Sequence, residues 1–516
     1  MQGAVESRFD LGSSGLGAGR ANGRRDGLAL LALFLIIYGA KSMLIGALGS
    51  PLPYSDQWNF EAVGLYRPYL AGTLDWGALV APYNEHRMLF TRLLLLGLFE
   101  LGGGWDPILA MLVNALLHTA FAVLFTAFLL PIVEHRLRPL LLAFAALCFL
   151  LPLGFENTLM GMNSHFYIFL LLSFGGLVLT AGRPALSAHW IGGLACLLGL
   201  EFTLASGALT PIAAGLVSGL QLAVGSRRRT VAEIVAALAL VVLGVTMAFA
   251  VSHDAASVAL EAKSPLDLLN AAISVAALPL ATVVGAIVVH APLGWLLGDT
   301  LRRRPVLAAR EWSLLALAAW IAAQILAIAY SRYQMALASR YFDIIVLALP
   351  LDLVALCLFL ARAPRPRWTK VCTAGWVFVI VAAISIGGYL SSWRLATQEK
   401  RELDASLPLV TAFVATGDAR QLDAVTGWLY PSKDGLARLL SDPAIQLFLP
   451  EAVRPPGLFP DGPRNETRLR GRLAGGAMVL KEALGAGQIW MALGVALMFF
   501  VGWRRLSPGE ALTKGE

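Results

Sequence analysis

A short polar segment, YSDQW at 54–58, follows the first long apolar run of the chain. Its carboxylate, Asp56, stands where a membrane-spanning helix would leave the lipid, and an ionisable side chain at that depth is costly and usually functional. A carboxylate placed there can act as a general base toward a hydroxyl group. The alternative is that Asp56 caps a following helix, since aspartate favours that position. We interpret the adjacent Gln57 and Trp58 as substrate-binding residues.

A second polar segment, NEHR at 84–87, combines an acid, an imidazole and a guanidinium group in Glu85, His86 and Arg87. Such a cluster can bind a phosphate or the hydroxyl groups of a sugar, or it can orient Asp56. Glu85, His86 and Asp56 could also contribute to a site for a divalent cation, Mg²⁺ or Mn²⁺, although their spacing does not demand one. The alternative is a solvated loop that enters a surface helix.

Further candidate substrate-binding residues lie at the ends of later apolar runs. Glu156, Asn157 and His165 share the segment GFENTLMGMNSH at 154–165, and Glu201 ends another run. The alternatives are solvation of the loop for the first group and a hydrogen bond between helices for His165. For Glu201 the alternative is a structural ion pair with an arginine, because a buried carboxylate needs a partner.

Two arginines, Arg332 and Arg340, flank a short tyrosine-containing segment between two apolar runs. Guanidinium groups there suit a fixed anion such as a lipid phosphate, which they can bind through paired hydrogen bonds. We therefore predict that they bind such a lipid phosphate. The alternative is that both side chains extend to anionic lipid headgroups.

The composition indicates that membrane helices position these residues. The chain has 516 residues, of which 58% are hydrophobic and 14% are charged, whereas soluble domains carry about 25% charged residues. The net charge of +7 does not indicate nucleic-acid binding, because arginines on cytoplasmic loops are expected of a multi-pass membrane protein. The four cysteines lie in or beside apolar runs without metal-ligand spacing, and we interpret them as buried apolar residues.

Placing the basic clusters on the cytoplasmic side predicts an all-α bundle of twelve spans with both termini in the cytoplasm. The predicted spans are 28–49, 107–131, 139–154, 164–181, 187–203, 205–225, 231–251, 269–298, 311–330, 342–361, 369–391 and 487–503. Segment 88–102 is predicted to be a surface helix because it is too short to cross the lipid core. Segment 57–72 is predicted to be a second surface helix. The run 269–298, interrupted by prolines, is either a kinked span or a span plus a surface helix.

The same pattern divides the chain into regions. These are a disordered cytoplasmic N-terminus (1–27), a transmembrane bundle (28–391) with a first outer loop (50–106), a mainly helical outer region (392–486), a last span (487–503) and a cytoplasmic tail (504–516). The polar segments without basic clusters all emerge on the outer side in this scheme. They are 50–87, 154–165, 201–207, 253–257 and 330–341. We therefore expect them to meet and form one site.

The segments YSDQW, NEHRMLFTRL, ENTLMGMNSHF and FTLASG, followed by a late arginine–tyrosine pair, resemble a known class. Over residues 28–390 the chain resembles the bacterial GT-C glycosyltransferases, and within them a poorly characterised group of integral-membrane proteins. The chain departs from many of those relatives in carrying a single Asp56 followed by Gln57, where they carry two acids. This departure weakens the case for a metal.

The resemblance implies an inverting glycosyltransferase of the bacterial inner membrane with a periplasmic active site. Its donor would be a sugar carried on a polyprenyl phosphate, and its acceptor would be an envelope glycan, lipid or protein. The protein would be surrounded by membrane lipids. Asp56 would be the general base, and Arg332 or Arg340 would stabilise the departing phosphate. Two alternatives remain: a flippase or transporter of lipid-linked sugars, and a non-catalytic membrane assembly protein.

Overall fold

The computed structural model describes residues 13–252, 255–362, 367–454 and 470–506. Across these residues the chain is helical and contains no β-strand, only an isolated bridge between Tyr83 and His86. The prediction of an all-α multi-pass membrane fold is confirmed at this level. The predicted tail 504–516 lies outside the described residues apart from its first three, as do His253 and Asp254 of the segment 253–257.

Twenty-three α-helices follow one another along the described part of the chain. They are α1 Ser13–Leu48, α2 Arg67–Leu70, α3 Trp76–Val80, α4 Leu89–Gly102, α5 Pro107–Leu129, α6 Arg138–Leu150, α7 Phe155–Thr158, α8 Ser164–Ala181, α9 Ala188–Gly199, α10 Leu209–Val224, α11 Val231–Phe249, α12 Ala255–Ala259, α13 Pro265–Ala276, α14 Val283–Arg303, α15 Arg310–Ser331, α16 Phe342–Ile345, α17 Ala348–Arg362, α18 Arg367–Ala382, α19 Tyr389–Thr416, α20 Lys433–Leu440, α21 Pro443–Gln446, α22 Arg470–Gly485 and α23 Gly487–Leu506. Two π-helical segments, Trp58–Tyr66 and Ala383–Gly388, continue into α2 and α19. Short 3₁₀ turns occupy Leu130–Ile132, His135–Leu137, Gly161–Asn163, Leu200–Phe202, Ala205–Ala208, Tyr333–Met335, Ser339–Tyr341, Ala419–Leu422 and Glu451–Val453.

Within the described ranges, nine helical stretches are long and apolar enough to cross a membrane, or ten if the bent pair α22–α23 forms one span. The predicted number of twelve is therefore not confirmed. The nine stretches are Gly23–Leu48, Pro107–Ile132, Gly161–Ala181, Ala205–Val224, Val231–Phe249, Val283–Arg303, Arg310–Ser331, Ser339–Arg362 and Arg367–Thr416.

Two predicted spans, 139–154 and 187–203, are replaced by helices that stop early. These helices, α6 and α9, have 13 and 12 residues, so each rises only about 20 Å, less than the roughly 30 Å of a lipid core. After α9 the backbone continues through two 3₁₀ turns, and after α6 it continues through a bend, the short helix α7 and one 3₁₀ turn. Both segments line a polar cavity. Non-helical backbone at membrane depth is tolerated where it is buried in protein or lines such a cavity.

Other boundaries also differ from the sequence prediction. Helix α1 begins at Ser13, before the predicted span boundary at residue 28. The disorder expected of 1–27 stays a prediction, and residues 1–12 lie outside the described residues. The run 269–298 forms two helices, α13 and α14, of which α14 alone has the length of a span. A continuous helix runs through 367–416 and crosses the predicted boundary at 391. Helices form where surface helices were expected, as Trp58–Leu70 and α4, and their position at the membrane surface stays a prediction.

Ion pairs tie the basic clusters together at one end of the bundle. Arg138 lies 2.5 Å from Asp26, and Arg362 lies 2.7 Å from Asp299 and 2.5 Å from Glu311. Helix α15 begins at this end, and its other end, near Ser331, lines the polar cavity. Basic clusters and cavity therefore lie at opposite ends of the spanning helices.

A second hydrophobic core joins the segment after α1 to the second half of α19 and the region that follows it. We call this part, residues 52–105 with 403–453, the head region. Trp58 and Tyr66 pack against Trp105 there. The carboxylate of Glu61 is fully buried and accepts hydrogen bonds from Gln57 Nε2, Tyr66 Oη and Trp105 Nε1 at 2.8, 3.1 and 2.8 Å. These donors fix the Gln57–Trp58 backbone that follows Asp56.

Glu61 is expected to make stability depend on pH. Burial raises the pKa of Glu61 from 4.5 to about 7, against the opposing effect of its three donors. The folded state therefore holds a proton that the unfolded chain has lost, so stability falls as pH rises from about 4.5 to about 7, by up to about 3 kcal/mol. The Glu61→Gln variant should lose the contribution of Glu61. The difference between its thermal unfolding midpoints at pH 5 and pH 8, measured on the solubilised protein, should therefore be smaller than that of the unsubstituted protein.

A matched control is Asp423→Asn, at a side chain that is 75% exposed. It should keep the slope of the unsubstituted protein. Glu61→Gln should also lower the midpoint at every pH, because an amide cannot accept all three hydrogen bonds. An unchanged slope in Glu61→Gln would refute the assignment to this carboxylate.

Candidate functional site

One cavity of about 410 Å³ lies where the polar segments meet. Each of the five segments predicted to converge contributes to its lining, which confirms the predicted convergence. The predicted site residues that line it are Asp56, Glu85, His86, Glu156, His165, Arg332 and Arg340. Those that do not are Gln57, Trp58, Arg87, Asn157 and Glu201.

Asp56 is held by a strained turn. The preceding Ser55 has φ of 52°, a left-handed conformation that is uncommon for residues other than glycine. Tyr83 Oη donates to Asp56 Oδ1 at 3.1 Å, the one hydrogen bond that the described residues give this carboxylate. No side chain caps the following helix, whose cap position is Gln57. The alternative of Asp56 as a helix cap is therefore not supported.

A tight turn presents Glu85 and His86. Tyr83 and His86 exchange backbone hydrogen bonds at 2.8 and 3.0 Å, and Asn84 between them has φ of 50°. The Glu85 carboxylate pairs with Arg332 and accepts a hydrogen bond from Ser257 Oγ at 2.9 Å. These contacts connect the loop before α4 to α12 and to the segment at the end of α15.

Arg340 is placed by reciprocal contacts between two segments. The Ser339 backbone N–H donates to Glu156 Oε1, and the Glu156 N–H donates to Ser339 Oγ, both at 3.1 Å. The Arg340 Nε atom lies 2.9 Å from Glu156 Oε2, and its side chain is 36% exposed, against 17% for Arg332. Arg340 is therefore the more accessible of the two guanidinium groups in the cavity.

Two imidazoles line the cavity with opposite tautomers. His86 Nδ1 accepts from the Ala205 backbone N–H at 3.2 Å, which leaves the proton on Nε2. His165 Nδ1 lies 3.1 Å from the Met162 carbonyl, which can only accept, so the proton is on Nδ1. Burial, aided by the charge of Arg340, lowers the pKa of His86 to about 4. His86 is thus a neutral hydrogen-bonding group near pH 7.

The five predicted site residues outside the cavity have structural partners. Gln57 and Trp58 are fully buried in the head region. Arg87 Nε lies 3.3 Å from Glu201 Oε1, which is the arginine pairing named as the alternative for Glu201. Asn157 is buried and donates to the Arg340 carbonyl at 2.7 Å and to Asp343 Oδ2 at 2.9 Å. It supports the site rather than lining it.

The Asp343 carboxylate belongs to a buried charged cluster beside the cavity. Lys41, His118 and Asp343 come from three different helical segments, and each is less than 5% exposed. His118 Nε2 lies 3.8 Å from Asp343 Oδ1, and Lys41 Nζ donates to Thr158 at 3.4 Å. A side chain at Gly154 would collide with the Asp343 carboxylate. The cluster therefore anchors the segment that carries Glu156.

Several cavity residues carry no recognisable signal in the sequence. Glu399 and Trp428 line the cavity from the region after the last predicted span of the bundle, and Glu261 and Tyr83 line it as well. Glu399 lies in a helix rich in charges of both signs, so nothing distinguishes it from solvated neighbours. For Tyr83, its position directly before NEHR is the one feature of the sequence that indicates a place in the site.

The lining contains five carboxylates and two guanidinium groups. An anionic ligand must therefore bind close to Arg332 and Arg340 rather than anywhere in the cavity. Within the ranges described, no three His, Cys, Asp or Glu side chains are grouped so that they could hold a metal ion.

Comparison with known proteins assigns no function to the chain, so a function has to be inferred from the cavity. The chain matches no protein-family model, and neither a curated protein nor a solved structure matches it.

Proposed function

We propose that the protein is a GT-C-type membrane glycosyltransferase that moves a sugar from a polyprenyl phosphate to an acceptor hydroxyl. One observation carries the proposal: Asp56 and the guanidinium groups of Arg332 and Arg340 share one cavity in a helical membrane bundle. A base for the acceptor and cations for a leaving phosphate are the two functions that this transfer needs.

The cavity wall also suits a lipid-linked donor. Beside the charged groups, the lining includes apolar side chains from several segments. They are Met160, Met162, Phe166, Leu204, Leu209, Ile328 and Ile344. An apolar wall next to two arginines can accept the first prenyl units while the guanidinium groups bind the phosphate.

The proposed reaction is a single displacement at the anomeric carbon. The acceptor oxygen forms a bond to this carbon as the bond to the phosphate oxygen breaks, through an oxocarbenium-like state. The acceptor proton passes to Asp56 Oδ2 or Oδ1, and polyprenyl phosphate leaves with the bonding electron pair. Arg340, the more exposed guanidinium, stabilises the charge on that phosphate. Attack opposite the leaving group inverts the anomeric configuration.

The arrangement of charges supports a periplasmic cavity in a bacterial inner membrane. Arginine clusters joined by ion pairs occupy the end of the bundle away from the cavity, and such clusters favour the cytoplasmic side. Nucleotide sugars are scarce outside the cytoplasm, so a transferase working there needs a donor that arrives through the membrane.

A flippase of lipid-linked sugars is the second candidate. The buried ionisable groups Lys41, His118 and Asp343 favour it, because transporters keep such groups inside their helical bundle. The cluster is tied to the segment that carries Glu156 and does not line the cavity. This placement favours a supporting role and therefore the transferase.

The two candidate functions predict different changes in the envelope glycans and lipid-linked sugars of a deletion strain. A transferase predicts loss of one sugar from an envelope glycan, lipid or protein, with the rest of that molecule intact, when envelope fractions are analysed by mass spectrometry. A flippase predicts accumulation of the lipid-linked sugar in the cytoplasmic leaflet. An unchanged set of envelope glycans and lipid-linked sugars would contradict both.

A further inference from the structure

We propose that a groove beside the cavity binds a saccharide, so that the acceptor hydroxyl belongs to a carbohydrate. The groove is lined by Ser55, Glu402, Thr426, Gly427, Trp428 and Pro431. This inference rests on the proposed transferase function and names the class of its acceptor.

The groove and the cavity form a continuous path to Asp56. Ser55 and Trp428 line both, and Asp56 follows Ser55 directly. A molecule seated in the groove can therefore present one hydroxyl group to Asp56 while the donor occupies the cavity.

The groove offers the groups that bind a sugar ring. The Trp428 indole is 57% exposed, and the apolar C–H face of a pyranose packs well on an aromatic face. Beside it, Glu402 Oε2 accepts a hydrogen bond from Thr426 Oγ1 at 2.8 Å. The second carboxylate oxygen of Glu402 accepts from Gln398 Nε2 at 3.0 Å, and the Thr426 hydroxyl accepts from the Trp428 backbone N–H at 3.4 Å. Each Glu402 oxygen keeps a further lone pair that can accept a hydrogen bond from a ring hydroxyl.

The exposed indole is held in place by its neighbours. Leu429 is fully buried, and its carbonyl accepts a hydrogen bond from the Ser55 backbone N–H at 2.8 Å. Tyr430 Oη donates to Asn59 Oδ1 at 3.0 Å. The loop that carries Trp428 is therefore attached to the strained turn before Asp56, and a ligand on the indole is positioned relative to the base.

The groove fits a saccharide better than a peptide or a lipid. Extended peptides commonly bind by adding a strand to a sheet edge, and the part of the chain that the structure describes contains no strand. A lipid chain needs continuous apolar surface, but Ser55, Glu402 and Thr426 interrupt it here. A flat aromatic ring beside a carboxylate and hydroxyl groups matches a ring with one apolar face and polar edges.

The test measures binding without turnover. Full-length protein carrying Asp56→Asn is placed in lipid nanodiscs and applied to an array of bacterial surface oligosaccharides of two to six sugars. We expect binding to at least one group of these saccharides, and a loss of at least tenfold in affinity when Trp428→Ala is added. The matched control is Trp76→Ala, at an indole that is 76% exposed and outside the groove, which should leave the affinity unchanged.

Two results would overturn the inference: no saccharide binding, or binding that Trp428→Ala leaves intact. The transferase proposal is tested separately in the deletion strain. If that strain loses a sugar but the array gives no binding, only the acceptor assignment fails.

Discussion

Replacing Asp56 by asparagine should reduce sugar transfer by about 10²- to 10⁴-fold, the usual contribution of a positioned general base. The carboxylate receives a hydrogen bond from Tyr83 but has no ion-pair partner among the described residues, so it is available to a hydroxyl group. An amide cannot take the proton that the acceptor must lose. Transfer is measured as restoration of the missing envelope sugar when a plasmid copy is returned to the deletion strain.

The control for this substitution is Asp423→Asn, which makes the same chemical change at an exposed position. It should restore the sugar as well as the unsubstituted protein does. Both variants should reach the same membrane abundance and unfold at similar temperatures, because Asp56 makes no capping contact. Normal turnover by Asp56→Asn would refute its assignment as the base.

The sequence predicts which segments meet, because the sidedness of basic clusters applies to every loop at once. Asp56, Glu156 and Arg340 lie in three different segments, and their common cavity follows from helix orientation rather than from any single motif. The sequence does not indicate which polar residue in a segment turns inward. Glu156 lines the cavity while Asn157 is buried behind it, a difference set by local hydrogen bonds that composition does not reveal.

The predicted number of spans is not confirmed for a related reason. The apolar runs 139–154 and 187–203 are long enough to suggest spans, but α6 and α9 end after 13 and 12 residues. The helix ends shorten because the following backbone has to reach the cavity with Glu156 or Leu204. Hydropathy measures how apolar a run is and not where its helical hydrogen bonding stops.

The buried cluster of Lys41, His118 and Asp343 explains how a functional loop can remain ordered at membrane depth. Asn157 links Asp343 to the backbone of Arg340, and its neighbour Glu156 pairs with the Arg340 side chain. One turn of chain thus connects an internal ion cluster to the proposed phosphate site. Charges inside the bundle need such partners, and here the partners also position the site.

Replacing Arg340 by glutamine should reduce transfer by about 10²- to 10³-fold, the usual cost of removing one donor to a developing anion. Its guanidinium lies in the cavity, is 36% exposed and has Glu156 as its ion-pair partner. Arg340→Lys should recover only part of the loss, because an ammonium keeps the charge but cannot form the paired hydrogen bonds. The assay is again restoration of the envelope sugar.

A loss of folding can be separated from a loss of phosphate binding. The Arg340 carbonyl, which accepts from Asn157, remains in every variant, so the link between the two segments is kept. Arg340→Gln alone leaves the Glu156 carboxylate without its ion-pair partner. The double variant, which also carries Glu156→Gln, removes that unpaired charge and should be as inactive as Arg340→Gln. Arg420→Gln, at a side chain that is 86% exposed, is the matched control and should be fully active. Normal transfer by Arg340→Gln together with loss of transfer by Arg332→Gln would show that the phosphate is bound at Arg332. Normal transfer by both variants would exclude both arginines from the donor site.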